Sequence, residues 1–314
     1  MTVLVRISVM IEGQEDVTWE DWVALADACE RSGVEALFRS DHYLSVSGEH
    51  GRGALDAWGT ICGLAARTQS LRLGTLVSPA SFRHPSVLAK LATTADHISG
   101  GRIELGLGTG WSEAEHRAFG FPFLPMKERM DVLEEQLQIV HGHWAEGGFS
   151  FSGEHYALED LNALPKPVQR PHPPLLMGGG AGPRAARLAA AYADEYNTVY
   201  PTLEQVRERR AAIAAACEKA RREPIPFSVM VMTVIGRDRA EAERRARELS
   251  AWAGSPVDFD ELDRTGVGGS VDEAVARLRA YADAGADRAF LQCLLHRDVD
   301  MIELIGREIA PAVA

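Results

Sequence analysis

The segment Arg39-Ser40-Asp41-His42 follows directly on an apolar run, Val34 to Phe38, that reads as a strand. An imidazole with an ordinary pKa of about 6.5 can give or take a proton near neutral pH, and an adjacent carboxylate can hold a loop or a ligand group. His42 is therefore the candidate catalytic residue and Asp41 a candidate ligand contact. The competing reading makes Asp41 a loop cap and His42 a satisfied structural histidine. A second cluster, Gly106-Leu107-Gly108-Thr109-Gly110-Trp111, spaces three glycines alternately and adds a hydroxyl at Thr109. Glycines allow a ring or phosphate close to the backbone, though this spacing is not the dinucleotide fingerprint and also suits a tight corner. In the third, Met177-Gly178-Gly179-Gly180-Ala181-Gly182-Pro183-Arg184, a helix begins near Pro183. Successive N–H groups at a helix start favour an anion, with Arg184 and Arg187 adding positive charge; a loop without ligand is the alternative.

Other histidines carry less. His141 and His143 stand two apart on a helix, where side chains do not share a face, and strand one ends in Val9-Met10-Ile11-Glu12 without a histidine, so no metal is expected. His50, His84 and His116 lie on or beside loops that can reach a substrate. Trp111, Phe82, Phe119, Phe149 and Tyr156 would make an apolar pocket if they point inward.

The elements that must position these residues alternate throughout. Strands are read at Val3 to Ile11, Val34 to Phe38, Leu71 to Val77, Arg102 to Leu107, Pro174 to Met177, Glu195 to Val199, Phe227 to Ile235 and Ala289 to Leu294. Helices fall between them: Thr18 to Arg31, Leu55 to Thr68, Ser86 to Ile98, Met126 to Trp144, Pro183 to Tyr192, Leu203 to Arg222, Arg239 to Trp252, Val271 to Ala284 and Met301 to Ala310. Thr18 suits an N-cap and Gly33 a left-handed helix end. Eight strands with helical partners imply parallel pairing through right-handed crossovers, an α/β single (β/α)8 TIM barrel. A doubly wound sheet with an extra helical domain is the alternative, but no linker or composition shift divides residues 1–314. Insertions at 108–125, 146–173 and 253–269 interrupt the rhythm, the middle one with a hairpin-like alternation from Phe149 to Tyr156. Barrel active sites lie at the carboxyl ends of the strands, where all three glycine or histidine clusters fall.

With 33 Lys plus Arg against 45 Asp plus Glu, the net charge of −12 gives no generic attraction to nucleic acid or to an anionic membrane. Apolar runs are too short to span a bilayer and the start reads as a strand, so a cytoplasmic enzyme is expected. Cys29, Cys62, Cys217 and Cys293 are far apart and read as buried core thiols.

Taken in order, Arg39-Ser40-Asp41-His42, Leu73 to Pro79, Phe82-Arg83-His84-Pro85, Ile98 to Trp111, and Gly178-Gly179-Gly180 through Asn197 resemble the luciferase-like monooxygenase superfamily, most closely its coenzyme F420-dependent oxidoreductase branch. The resemblance runs over nearly the whole chain. It implies a bacterial-luciferase-like barrel, often a homodimer, with F420, or alternatively FMN, across the strand ends. By resemblance Asp41 contacts the ring system, and His42 faces ring and substrate. Leu76 and Val77 match a non-prolyl cis peptide that buttresses the ring, Thr109 and Gly110 line the cofactor, and Gly178, Gly179, Gly180 and Ala181 receive its phosphate. The activity implied is hydride exchange between the deazaflavin and a small organic substrate, with FMN-dependent monooxygenation and non-catalytic flavin binding as alternatives. The chain departs from the glucose-6-phosphate dehydrogenases of the branch, having Val46 and Trp111 where they place tryptophan and glutamate, which argues against a sugar phosphate. Glu113 and Glu115 are near enough in sequence to supply a carboxylate instead.

Overall fold

In the computed structural model, which describes residues 4–46 and 51–314, eight parallel strands close on one another. They are β1 (Arg6–Ile11), β2 (Ala36–Arg39), β3 (Arg72–Thr75), β4 (Ile103–Gly108), β5 (Leu175–Gly178), β6 (Glu195–Val199), β7 (Phe227–Ile235) and β8 (Arg288–Gln292). Each pairs with the next in chain order, and β8 returns to β1 with Arg6 opposite Arg288 and Met10 opposite Gln292. The expected TIM barrel is thus what the chain forms, and the doubly wound alternative is not.

Side-chain parity explains why these segments are strands. In β1 the outward Ile7, Val9 and Ile11 join the large core between strands and helices, while Met10 enters a separate cluster inside the barrel with Ala36, Phe38, Leu176, Met230 and Phe290. The helices are stopped by local chemistry. Thr18 accepts from Asp21 N and Asp21 caps back, and helix Trp19–Ser32 ends at Gly33 with φ 80°, as its sequence predicts. Cys29, Cys217 and Cys293 are buried free thiols and Cys62 is half-buried, one step short of the fully buried reading.

Beyond shifts of up to three residues at element ends, the structure departs from the sequence reading in three places. The β3 ladder ends at Thr75 and not at Val77; the Leu76–Val77 peptide is cis, and the chain rejoins the sheet at Ser78–Pro79, beside Leu107 and Gly108. Between β7 and β8 lie helices Arg239–Ala253 and Phe259–Thr265 before helix Val271–Ala284. That extra length exists because β7 runs on, its Thr233–Ile235 pairing with Val267–Gly269, so the chain revisits the strand edge before crossing to β8. The final helix is broken, with Val299–Leu304, a π turn at Ile305–Ile309 and Ala310–Val313 in place of one helix. Of the insertions, 108–125 holds a short helix, Glu113–Phe119, and 146–173 holds the hairpin Phe149–Ser152 with Ala157–Leu161. Gly142 lets Phe149 pack against the long helix Met126–Trp144, since a Cβ there would lie 2.5 Å from that ring.

Candidate active site

At the carboxyl ends of the strands a cavity of about 490 Å³ opens. Its wall takes Met10 and Glu12 from β1, Ser40 and His42 after β2, the Leu76–Val77 shelf after β3, Gly108 to Trp111 after β4, Gly178 and Gly179 after β5, Asn197, Val199 and Tyr200 from β6, and Met230 from β7. Of the residues singled out from sequence, the structure brings together His42, Leu76, Val77, Thr109, Gly110, Gly178 and Gly179. Close approach is why glycines occur here. A Cβ at Gly106 would lie 2.1 Å from Thr75 O, and one at Gly108 2.7 Å from a Val77 methyl, so these two positions admit the Val77 shelf only as glycines.

His42 is held by a partner from the first insertion. Its Nδ1 lies 2.7 Å from Glu115 Oε2, and the other oxygen of Glu115 accepts from Tyr43 N at 2.5 Å and Leu44 N at 3.2 Å. Glu115 is fully buried and sits in the first turn of Glu113–Phe119, whose N-cap Ser112 accepts from Glu115 N. Burial is the largest single influence on His42 and opposes its charging; the hydrogen bond and charge of Glu115, with the carboxylates of Glu12 and Asp41, outweigh it and raise the imidazole pKa. With Nδ1 engaged by the carboxylate, Nε2 is the nitrogen left for exchange with a ligand. Trp111 meets the His42 ring edge-on at 5.6 Å between centroids and stands 63% exposed at the rim.

Three of the residues expected at the cofactor stand outside this wall. Asp41 is not in the cavity wall: it is fully buried, with Oδ2 accepting from Ser78 Oγ and Arg83, both at 2.6 Å, and Oδ1 from Arg83 at 3.1 Å. The burial of its carboxylate demands these partners, which leave it bracing the His42 loop. Gly180 and Ala181 also lie outside the wall. The four-donor phosphate cradle is reduced, because Gly179 N donates to Asn197 O and Ala181 N to the Tyr196 hydroxyl, while Gly180 N has no protein acceptor among the described residues. Arg184 bonds Asp131 at 2.6 Å and Glu134 at 2.9 Å, and Arg187 bonds Glu134, so their charge is already neutralised. A guanidinium does come near from elsewhere: Arg129 donates to Gly110 O at 2.5 Å and lines a neighbouring cavity of about 360 Å³ that shares Thr109.

The remaining candidates, Trp111 apart, lie outside the wall of the His42 cavity. His116 is fully buried between Ser81 Oγ and Ser112 O, both at 2.6 Å, and His84 caps helix Pro85–Ser99. His50 lies outside the described residues. His141 Nε2 donates to Tyr192 O, and burial pushes His143 down to about 4; among the described residues no three His, Cys, Asp or Glu gather as a metal group. Phe82 and Phe119 stack with Tyr43 and Phe121 behind the His42 loop; of the five aromatics Trp111 lines the His42 cavity, while Phe82 and Tyr156 line the neighbouring one. Glu113 pairs on the surface with Arg117, and Glu115 is the carboxylate that matters. Sequence reading passed over Glu12, Ser40, Asn197 and Tyr200, although Glu12 continues the inward parity of Ser8 and Met10 along β1.

Residues 1–266 match the family model described as luciferase-like monooxygenase. The chain is 30% identical over 295 residues to an FMNH2-dependent dimethylsulfone monooxygenase of Pseudomonas putida, covering 92% of this chain and 77% of that one. It is 29% identical to an F420-dependent glucose-6-phosphate dehydrogenase of Nakamurella multipartita, over 91% and 90% of the two. Its fold superposes on the monooxygenase RslO1 of Streptomyces bottropensis with a TM-score of 0.85 at 23% identity, covering 99% and 100% of the chains.

Proposed function

The chain belongs to the luciferase-like monooxygenase family, whose relatives here are oxidoreductases, and on that premise we propose that it is an F420-dependent oxidoreductase acting on a small organic substrate. The observation that carries this is the His42–Glu115 pair beside a shelf and cavity of ring size. The residues fit such a group. The Leu76–Val77 shelf offers apolar surface to a planar ring, and the glycines at 108 and 178 bring backbone close to it. For an anionic tail, Gly180 N beside the wall residue Gly179 has no protein acceptor among the described residues, and the Arg129 guanidinium reaches the wall residue Gly110 from the neighbouring cavity. When bound, the deazaflavin supplies two-electron hydride chemistry.

The chain's own part is orientation and proton handling. Glu115 fixes the His42 ring and favours its protonated form, so Nε2 can donate a proton to a substrate oxygen or nitrogen, or recover one in the reverse direction. Asp41 and Arg83 lock the backbone that carries His42. The relative from P. putida favours a second reading, in which FMN replaces F420 and oxygen is the co-substrate. Titration of the purified protein with F420 and with FMN separates the two. Tighter binding of F420, with no substrate-dependent oxygen uptake, is expected; tighter FMN binding with oxygen uptake establishes the second reading.

A further inference from the structure

We propose that Glu12 is a specificity-determining residue that receives the protonated amine of a cationic substrate. This rests on the reading of the cavity as the substrate side of an oxidoreductase. Glu12 leaves the end of β1 and its carboxylate lines the cavity. It is oriented by two neutral amides: Gln292 Nε2 donates to Oε1 at 2.5 Å and Gln14 Nε2 to Oε2 at 2.8 Å. Both amides are themselves held, Gln292 Oε1 by the Tyr200 hydroxyl and Gln14 Oε1 by Ser40 Oγ.

Charge is what distinguishes this residue. The other carboxylates around the upper end of the barrel have a cationic or imidazole partner: Asp41 has Arg83, Glu15 has Arg52 and Glu115 has His42. Glu12 makes no ion pair among the described residues: its charge acts on His42, but that imidazole is held by Glu115, and no described Lys or Arg lines the cavity. The His42–Glu115 pair is close to neutral as a unit, so the field inside the cavity is set by Glu12 within a chain of net charge −12. A carboxylate or phosphate substrate would meet repulsion there. An alkylammonium gains a charge-assisted hydrogen bond, and its apolar remainder faces Met10, Val199 and Met230. At the rim the Trp111 indole adds a π surface of the kind cations favour.

Calorimetry with benzylammonium, benzyl alcohol and benzoate, on the protein as purified and after addition of F420 or FMN, tests this directly. Benzylammonium is expected to bind at least ~tenfold more tightly than either other probe. Glu12→Gln should weaken it by about tenfold to a hundredfold while leaving benzyl alcohol and cofactor affinity nearly unchanged. Glu12→Asp, which keeps the charge, should retain the preference and covers the case in which the glutamine variant unfolds. Equal binding of benzyl alcohol or benzoate by the unmodified protein overturns the proposal. So does an E12Q variant that loses cofactor affinity but not ammonium preference. Failure of both cofactors to bind, with the ammonium preference intact, would instead count against the oxidoreductase reading alone.

Discussion

Charge is placed at both ends of the barrel interior, and the two ends treat it differently. At the amino-terminal end Arg288 is buried and donates to Glu104 at 2.7 Å, Glu195 at 3.4 Å and Ser8 Oγ at 2.8 Å, while Arg72 closes on Glu104 at 2.6 Å. Phe38 and Phe290 cover its guanidinium from above, with centroids at 5.0 and 4.4 Å. Burial opposes the charge on Glu104, but Arg288 and Arg72 overcome it and lower its pKa; for Glu195 burial wins, reinforced by the Glu104 charge, and its pKa is raised. Above a layer of Met10, Phe38, Leu176, Met230 and Phe290, the carboxyl-terminal end instead leaves Glu12 without a cation and His42 with one nitrogen toward the cavity. The lower cluster compensates charge in order to close the barrel. The upper one keeps polar capacity for a ligand, and the apolar layer insulates one from the other.

The comparison breaks most visibly at His42. His42→Ala should lower turnover on the order of a hundredfold to ten-thousandfold with only a modest fall in the thermal transition, since Glu115 loses one partner but keeps the Tyr43 and Leu44 N–H donors. Steady-state rates beside differential scanning calorimetry decide it; an unchanged rate would remove His42 from the chemistry. At the lower end the pattern should invert. Arg288→Met leaves Glu104 with Arg72 alone and Glu195 with no cation in the interior, and urea titration should show a loss of about 3–5 kcal/mol of stability.

Glu115→Gln sharpens the upper end. Losing the carboxylate should drop the His42 pKa, so the protonated form disappears at lower pH, and NMR titration of the imidazole reads this without turnover. The sign for stability follows from the raised pKa. The pair contributes fully below the unfolded histidine value of about 6.5, and that contribution is lost as pH rises through the higher folded value. Unfolding free energy of the unmodified protein relative to the Glu115→Gln variant should therefore narrow with rising pH across that window. The smallest effect is expected for Arg184→Gln, less than about 1 kcal/mol by chemical denaturation, because its partners Asp131 and Glu134 are partly solvated. Its affinity for F420 or FMN should hardly change; a large loss would restore Arg184 to a phosphate site.

How far the site was legible in sequence follows the same division. The strand-end rule located His42, Thr109 and Gly178 on one face because parallel strands of a barrel must all end there. It placed Asp41 there too, but adjacent residues on an extended chain point to opposite sides, and Ser40 and His42 enter the wall while Asp41 is buried behind it. The glycines at 178 to 180 read as a row of free donors, yet the β6 backbone and the Tyr196 hydroxyl, remote in sequence, take two N–H groups of that loop.

By itself the sequence determined the eight-strand alternation, the helix stops at residues such as Thr18 and Gly33, and the presence of an imidazole at a strand end. These follow from local propensity and periodicity, which act over a few residues. Tertiary structure decided which charges are spent and which are kept. Glu115 reaches His42 across 73 positions and Arg288 reaches Glu104 across 184, whereas Glu12, just past the strand that holds Ser8, is hydrogen-bonded by amides. Pairing of that kind depends on closure of the barrel, where desolvation makes the identity of each neighbour count.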